Sequence, residues 1–125
     1  EEFYAKPDAG QLLVSPADET ATNPHDAWAT EEDLATGIDF LSQIAEISVD
    51  RITSSWAGLR TFSPDKALVI GHDKIYPEFF WFAGQGGYGF QTSAAASELA
   101  SELILGISPT IGRDLSRSLS PSRFY

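Results

Sequence analysis

The chain has 125 residues, no cysteine, and 18 acidic against 8 basic side chains, for a formal charge of −10. That length supports one modest core, and the missing cysteines exclude disulfides, thiolate metal sites and a cysteine nucleophile. The negative balance opposes nucleic-acid binding and is most simply a solubilising surface. No apolar run approaches the ~20 residues of a membrane span, and the opening residues do not read as a signal peptide, so a cytoplasmic location is the default expectation. The chain opens Glu1-Glu2 without methionine, which fits an excerpt of a longer polypeptide as well as a processed end.

In chain order, residues 2–6 and 11–15 flank the turn signal PDAG and predict a β-hairpin. Residues 16–29 hold two prolines and no periodicity, and read as a loop. Thr30 followed by Glu31, Glu32 and Asp33 is a helix start, a capping hydroxyl and then acids in the positively polarised first turn. Leu34, Ile38, Leu41 and Ala45 recur at helical spacing, so 31–45 is expected as one amphipathic helix covering a sheet. The β-branched, alternating text of 46–62 predicts one or two strands, with Trp56, Gly58, Arg60 and Phe62 on one face. SPDK is a turn, ALVIG a short strand, HDKIYPE a polar connection, and FFWFAG a strand buried on both faces. After a glycine-rich loop, a helix is expected from Thr92 to Leu105, stopped by Gly106 with Pro109 beyond. The tail from Gly112 is weakly ordered by composition, with Phe124 and Tyr125 as anchors. The fold class is α+β: an antiparallel-rich sheet with one covering helix, then the buried strand, the glycine loop and the C-terminal helix.

Three features bear on chemistry. Arg60 sits among Trp56, Leu59 and Phe62, where its planar fork suits either a ligand carboxylate or an internal acid. Tyr4 lies in the first strand, where a tyrosine is ordinarily a core residue with its hydroxyl on a backbone partner. Gly84, Gly86, Gly87 and Gly89 fall within GQGGYG, immediately before a helix. Such a loop either turns a corner or lets a flat ligand approach the backbone, with helix-start N–H groups near Phe90, Gln91 and Thr92 favouring negative charge. The spacing is not that of the dinucleotide fingerprint. His25 and His72, the two histidines, fall in polar loop text and read as surface residues. No metal motif is present.

Taken in order, YAKPDAGQLLVSPAD, PHD, WAGLR, QGGYGFQTSAA and LSPSR resemble the FAD-dependent D-amino-acid oxidase superfamily. That group includes glycine and sarcosine oxidases and D-amino-acid dehydrogenases, and the bacterial enzymes acting on D-arginine are the nearest in motif. The resemblance implies the C-terminal part of a flavoenzyme that moves a hydride from a D-amino acid to FAD, giving an imino acid. It implies that Arg60 grips the substrate carboxylate, that Tyr4 lines the pocket, and that the Gly87 carbonyl accepts from the substrate amine. It places Gly86, Gly87, Tyr88, Gly89, Phe90, Gln91 and Thr92 at the flavin edge. It also implies a substrate-binding portion over 1–78 and a strand, loop and helix of the FAD domain over 79–125. An N-terminal FAD-binding half is the implied partner, without which the chain is inactive. An interaction module that keeps the fold without catalysis, its aromatic face driving self-association, is the alternative.

Overall fold

The structure, a computed structural model, describes residues 3–125; Glu2, part of the expected hairpin, lies outside them. The chain divides into two compact units, Glu1–Leu59 and Arg60–Tyr125.

In the first unit, β1 (Tyr4–Asp8) and β2 (Gln11–Ser15) pair antiparallel, with Tyr4 opposite Ser15 and Asp8 opposite Gln11. The two loop residues, Ala9 (φ 47) and Gly10 (φ 78), are both left-handed, the twist-matched turn that PDAG encodes. Helix α1 (Glu31–Ile44) begins at a reciprocal cap. Asp33 N–H donates to Thr30 Oγ1 at 3.1 Å, and Thr30 N–H donates to the Asp33 carboxylate at 3.0 Å. The helix lies on β2 with Gly37 facing Val14 and Pro16, and it buries Leu41.

No strand forms over 46–62, which corrects the reading of that alternation. Ile47, Val49, Ile52 and Trp56 are exposed. The physical reason is that the stretch forms no backbone ladder with either two-stranded sheet. What this stretch makes with β2 is a side-chain bond, Thr53 Oγ1 donating to Gln11 Oε1 at 3.1 Å, and β-propensity without a ladder does not hold a strand.

In the second unit, β3 (Val69–His72) and β4 (Phe80–Ala83) pair antiparallel, with Val69 opposite Ala83. Helix α2 (Gly89–Ile104) packs on β3, and Ile70 and Leu99, both fully buried, meet Ala96 at the centre of the core. The β4 strand is not buried on both faces as FFWFAG suggested: Trp81 and Phe82 are exposed, because this sheet has two strands among the described residues. Gly106 (φ 69) does end α2. The Ile107 N–H reaches Glu102 O at 2.8 Å and the Gly106 N–H reaches Leu103 O at 3.3 Å, the paired bonds of a left-handed glycine stop.

The tail is ordered, against the expectation from its composition. Helix α3 (Arg113–Leu119) and a 3-10 turn at Pro121–Phe124 follow. Long-range bonds hold them. The Arg123 guanidinium grips Asp65 through Nε at 2.7 Å and Nη2 at 3.0 Å, and Nη2 also donates to Ala67 O. Tyr125 anchors through its hydroxyl, which donates to Asp73 Oδ2 at 3.0 Å.

Many large apolar side chains among the described residues stand open, Phe90 at 98% being the extreme. No helix among the described residues is long and apolar enough to cross a membrane.

Candidate functional site

The site grows from the way the glycine loop folds back on the 60–62 segment. Gly84 (φ 72) is buried, and a Cβ there would sit 3.3 Å from the Ala67 carbonyl. Two residues on, the Gly86 N–H donates to Thr61 O at 2.9 Å, which ties the loop to the residue between Arg60 and Phe62. Gly86 (φ 52) needs glycine twice over: its backbone is left-handed, and an added Cβ would fall 2.6 Å from Phe62 Cε1. Tyr88 N–H then donates to Gln85 O at 2.9 Å and closes the turn.

Gly87 faces the arginine. An added Cβ would lie 2.8 Å from Arg60 Nη1, so the guanidinium rests against bare backbone. The Arg60 Cζ is also 5.2 Å from the Phe62 ring centroid, and Lys66 Nζ is 5.8 Å from the same centroid, both within reach of the ring's negative face. A chain of net charge −10 thus gathers two cations at one aromatic ring.

Helix α2 begins at Gly89, three residues before the expected Thr92. Thr92 is no cap: its hydroxyl and its N–H both reach Tyr88 O, at 2.7 and 3.0 Å. Tyr88 is the cap residue and supplies no side-chain bond to the helix start. The first-turn N–H groups of Gly89, Phe90 and Gln91 have no preceding turn to donate to, and they give this end a partial positive charge. The fold thereby brings an arginine up to bare glycine backbone that leads directly into an open helix start, although Arg60 lies far earlier in the chain.

Tyr4 belongs to the other unit, on β1, with a largely exposed side chain. His72 ends β3, with Nδ1 2.7 Å from Pro77 O and its ring edge-on to Phe80; His25 is exposed, with Nδ1 2.8 Å from Asn23 O.

Sequence reasoning gave no role to Phe62 or Asp73. The first carried a signal, since alternation put Arg60 and Phe62 on one face; the second carried none. Asp73 is buried and accepts from Trp81 Nε1 at 2.9 Å, the N–H groups of Ile75 and Tyr76, and Tyr125. The Trp81 indole foremost, then the two backbone N–H groups, lower its pKa to about 2. It is a structural anchor, with each oxygen already supplied with two donors.

The residues at 86–92 fit the polar edge of a flavin ring. Gly86, Gly87 and Gly89 leave the backbone unshielded by side chains, and uncapped N–H donors stand beside an exposed Phe90. They do not match the pyrophosphate loop of FAD, which takes a different glycine spacing.

A strand, a glycine loop, an open helix start and a facing arginine thus stand together in the second unit. The chain belongs to the DAO family of FAD dependent oxidoreductases, whose signature matches residues 1–103. Over 65 residues, 50% of this chain, it is 38% identical to a D-amino acid dehydrogenase of Azorhizobium caulinodans, and the match covers 15% of that protein's length.

Proposed function

We propose that the chain supplies the carboxylate clamp and the flavin-edge loop of an FAD-dependent enzyme that oxidises D-amino acids, D-arginine among them, to imino acids. One observation carries the reading: Arg60 Nη1 lies against the Gly87 backbone, a few residues from the uncapped start of α2. An α-amino acid carries its carboxylate and its amine on one carbon. It therefore suits a guanidinium set beside bare glycine backbone.

In this reading Arg60 takes the carboxylate in a bidentate grip, the Gly87 carbonyl accepts from the amine, and Tyr4 adds a hydroxyl to the carboxylate. Holding the carboxylate and the neutral amine, whose lone pair assists the departing hydride, fixes the direction of the Cα–H bond, which is catalysis by positioning. FAD, when bound, accepts the hydride. Gly86, Gly87, Tyr88, Gly89, Phe90, Gln91 and Thr92 hold the ring's polar edge, and the N–H groups of α2 stabilise negative charge arriving there. An N-terminal FAD-binding half supplies the remaining cofactor contacts, and the chain alone does not turn over. The substrate preference for D-arginine rests on the motif resemblance.

The test is Arg60→Ala in the FAD-loaded protein, followed by anaerobic flavin reduction with D-arginine. The expected result is a fall in kcat/KM of about 100-fold with FAD affinity unchanged. Reduction indifferent to Arg60 refutes the clamp.

A second reading draws on apolar surface of the second unit, where Phe90 and Leu105 are 98 and 70% exposed. That surface suits a module whose role is association with itself or with a flavin-binding subunit. A flavin-free oligomer on size-exclusion chromatography that D-amino acids leave unchanged supports it over the enzyme.

A further inference from the structure

We infer that Phe62 is a positioning residue for Arg60: its ring sets where the guanidinium fork stands over Gly87. The inference rests on the reading of Arg60 as the carboxylate clamp.

Three contacts support it. The Arg60 Cζ lies over the Phe62 ring, 5.2 Å from the centroid, where the ring quadrupole attracts a cation. The ring is itself held in place, since a Cβ at Gly86 would come within 2.6 Å of Cε1 and 2.9 Å of Cδ1. The Gly86 N–H donates to Thr61 O at 2.9 Å, which fixes the loop against the backbone that carries both side chains.

The order of cause runs from backbone to charge. Glycine at 86 makes room for the ring, the ring supports the guanidinium, and glycine at 87 leaves the guanidinium against bare backbone. An arginine has many rotamers. A ring beneath it narrows that set before any carboxylate arrives, so less freedom is lost on binding. Lys66 Nζ, 5.8 Å from the same centroid, adds a second positive charge and would push Arg60 away.

The alternating spacing of residues 60 and 62 has a purpose in this reading. In a strand it would serve a sheet face, but no strand forms here. What the spacing brings together is one cation and one ring.

The experiment compares Phe62→Leu, which keeps apolar bulk and removes the ring face, with Phe62→Tyr, which keeps the face. The FAD-loaded protein is titrated with D-arginine, and Arg60 is followed by its side-chain Nε–Hε NMR resonance. The expected result for Phe62→Leu is a KM for D-arginine raised about three- to tenfold, with kcat within about twofold. The same variant loses the ring-current shift of the Arg60 resonance, while Phe62→Tyr restores both. If the Leu variant unfolds, Phe62→Met takes its place.

Native binding in Phe62→Leu overturns the inference. So does an equal loss in the Leu and Tyr variants accompanied by equal loss of thermal stability, because the ring is then only packing. Arg60→Ala separates this failure from that of the clamp itself. If Arg60→Ala leaves D-arginine binding unchanged, the clamp reading falls and the role of Phe62 falls with it. If Arg60→Ala weakens binding and Phe62→Leu does not, only the inference made here is lost.

Discussion

The two units differ in how far their side chains reach. In the first, polar side-chain bonds tie near neighbours, Thr30 with Asp33, Gln43 with Asp39 and Lys6 with Asp8, with Thr53 to Gln11 as the exception. In the second they join segments far apart in sequence. Arg123 holds Asp65 and the Tyr125 hydroxyl reaches Asp73, bonds that span 58 and 52 positions. Local bonds start elements, whereas distant ones close loops and make separate elements open together. The functional loop belongs to the second kind. Its glycines are placed by contacts with residues about 25 positions earlier, through Thr61 and Phe62.

The largest expected effect tests this contrast directly. Leu99 is fully buried between α2 and β3, and Leu99→Ala is expected to cost about 3 kcal/mol in urea unfolding. Amide exchange should then speed up in α2, β3 and α3 alike. Leu41→Ala, at 3% exposure in the native chain, should raise exchange in α1 and the hairpin while leaving residues 60–125 protected. A Leu99→Ala effect confined to α2 would break the comparison.

Acid is the next lever. Asp73 titrates at about 2 in the folded chain against 3.8 for the free side chain. A depressed carboxylate contributes stability that is complete above its unfolded pKa and is lost as pH falls through the folded one. Asp65 acts in the same direction, held well below the carboxylate range by Arg123 first and Ser63 second. Protection of residues 60–125 should therefore decline from about pH 4 down to pH 2. In Asp73→Asn that decline should be shallower and start from a lower plateau, as monitored by tryptophan fluorescence of Trp81. Tyr125 works at the other end of the scale. Its hydrogen bond to Asp73, foremost, with burial and the nearby charge, raises its pKa. Its contribution is full below pH 10 and is lost as pH climbs through the raised value. An acid decline unchanged in Asp73→Asn would assign the loss to other carboxylates.

The same contrast decides what could be read in the sequence. The PDAG hairpin and the Thr30 helix start were legible because their causes lie within four residues: a left-handed Ala9-Gly10 pair and a capping hydroxyl with acids behind it. The strand expected over 46–62 failed because β-branched text states a preference and names no partner. The tail was read as loose because Ser-rich text is a poor helix signal. Its order comes from Asp65 and from Pro121, whose Cδ lies 3.1 Å from where Gly71 would carry a Cβ. At the site, the residue types were legible and the arrangement only partly so. Alternation placed Arg60 with Phe62, yet nothing local showed that Gly86 and Gly87 would each face one of them. The start of α2 was set too late because glycine is a poor helix former, yet Gly89 opens the first turn.

The smallest expected effect lies at the most local device. Thr30→Ala removes the hydroxyl that accepts from Asp33 N–H, and leaves the return bond from Thr30 N–H to the Asp33 carboxylate in place. Half a capping box should therefore survive, and the cost is expected to be about 1 kcal/mol. The lost partner belongs to Asp33, so exchange should rise at the amides of Asp33 and Leu34 first. Leu34 N–H still donates to Thr30 O at 3.1 Å, which limits the fraying to one turn. Thr30→Ser should restore the native rate, since the oxygen and not the methyl group makes the bond. Residues 60–125 should keep their protection in both variants, and the Arg60 side-chain resonance should not move. A shift there would show that the cap of α1 reaches the glycine loop, and the division between short-reach and long-reach units would have to be redrawn.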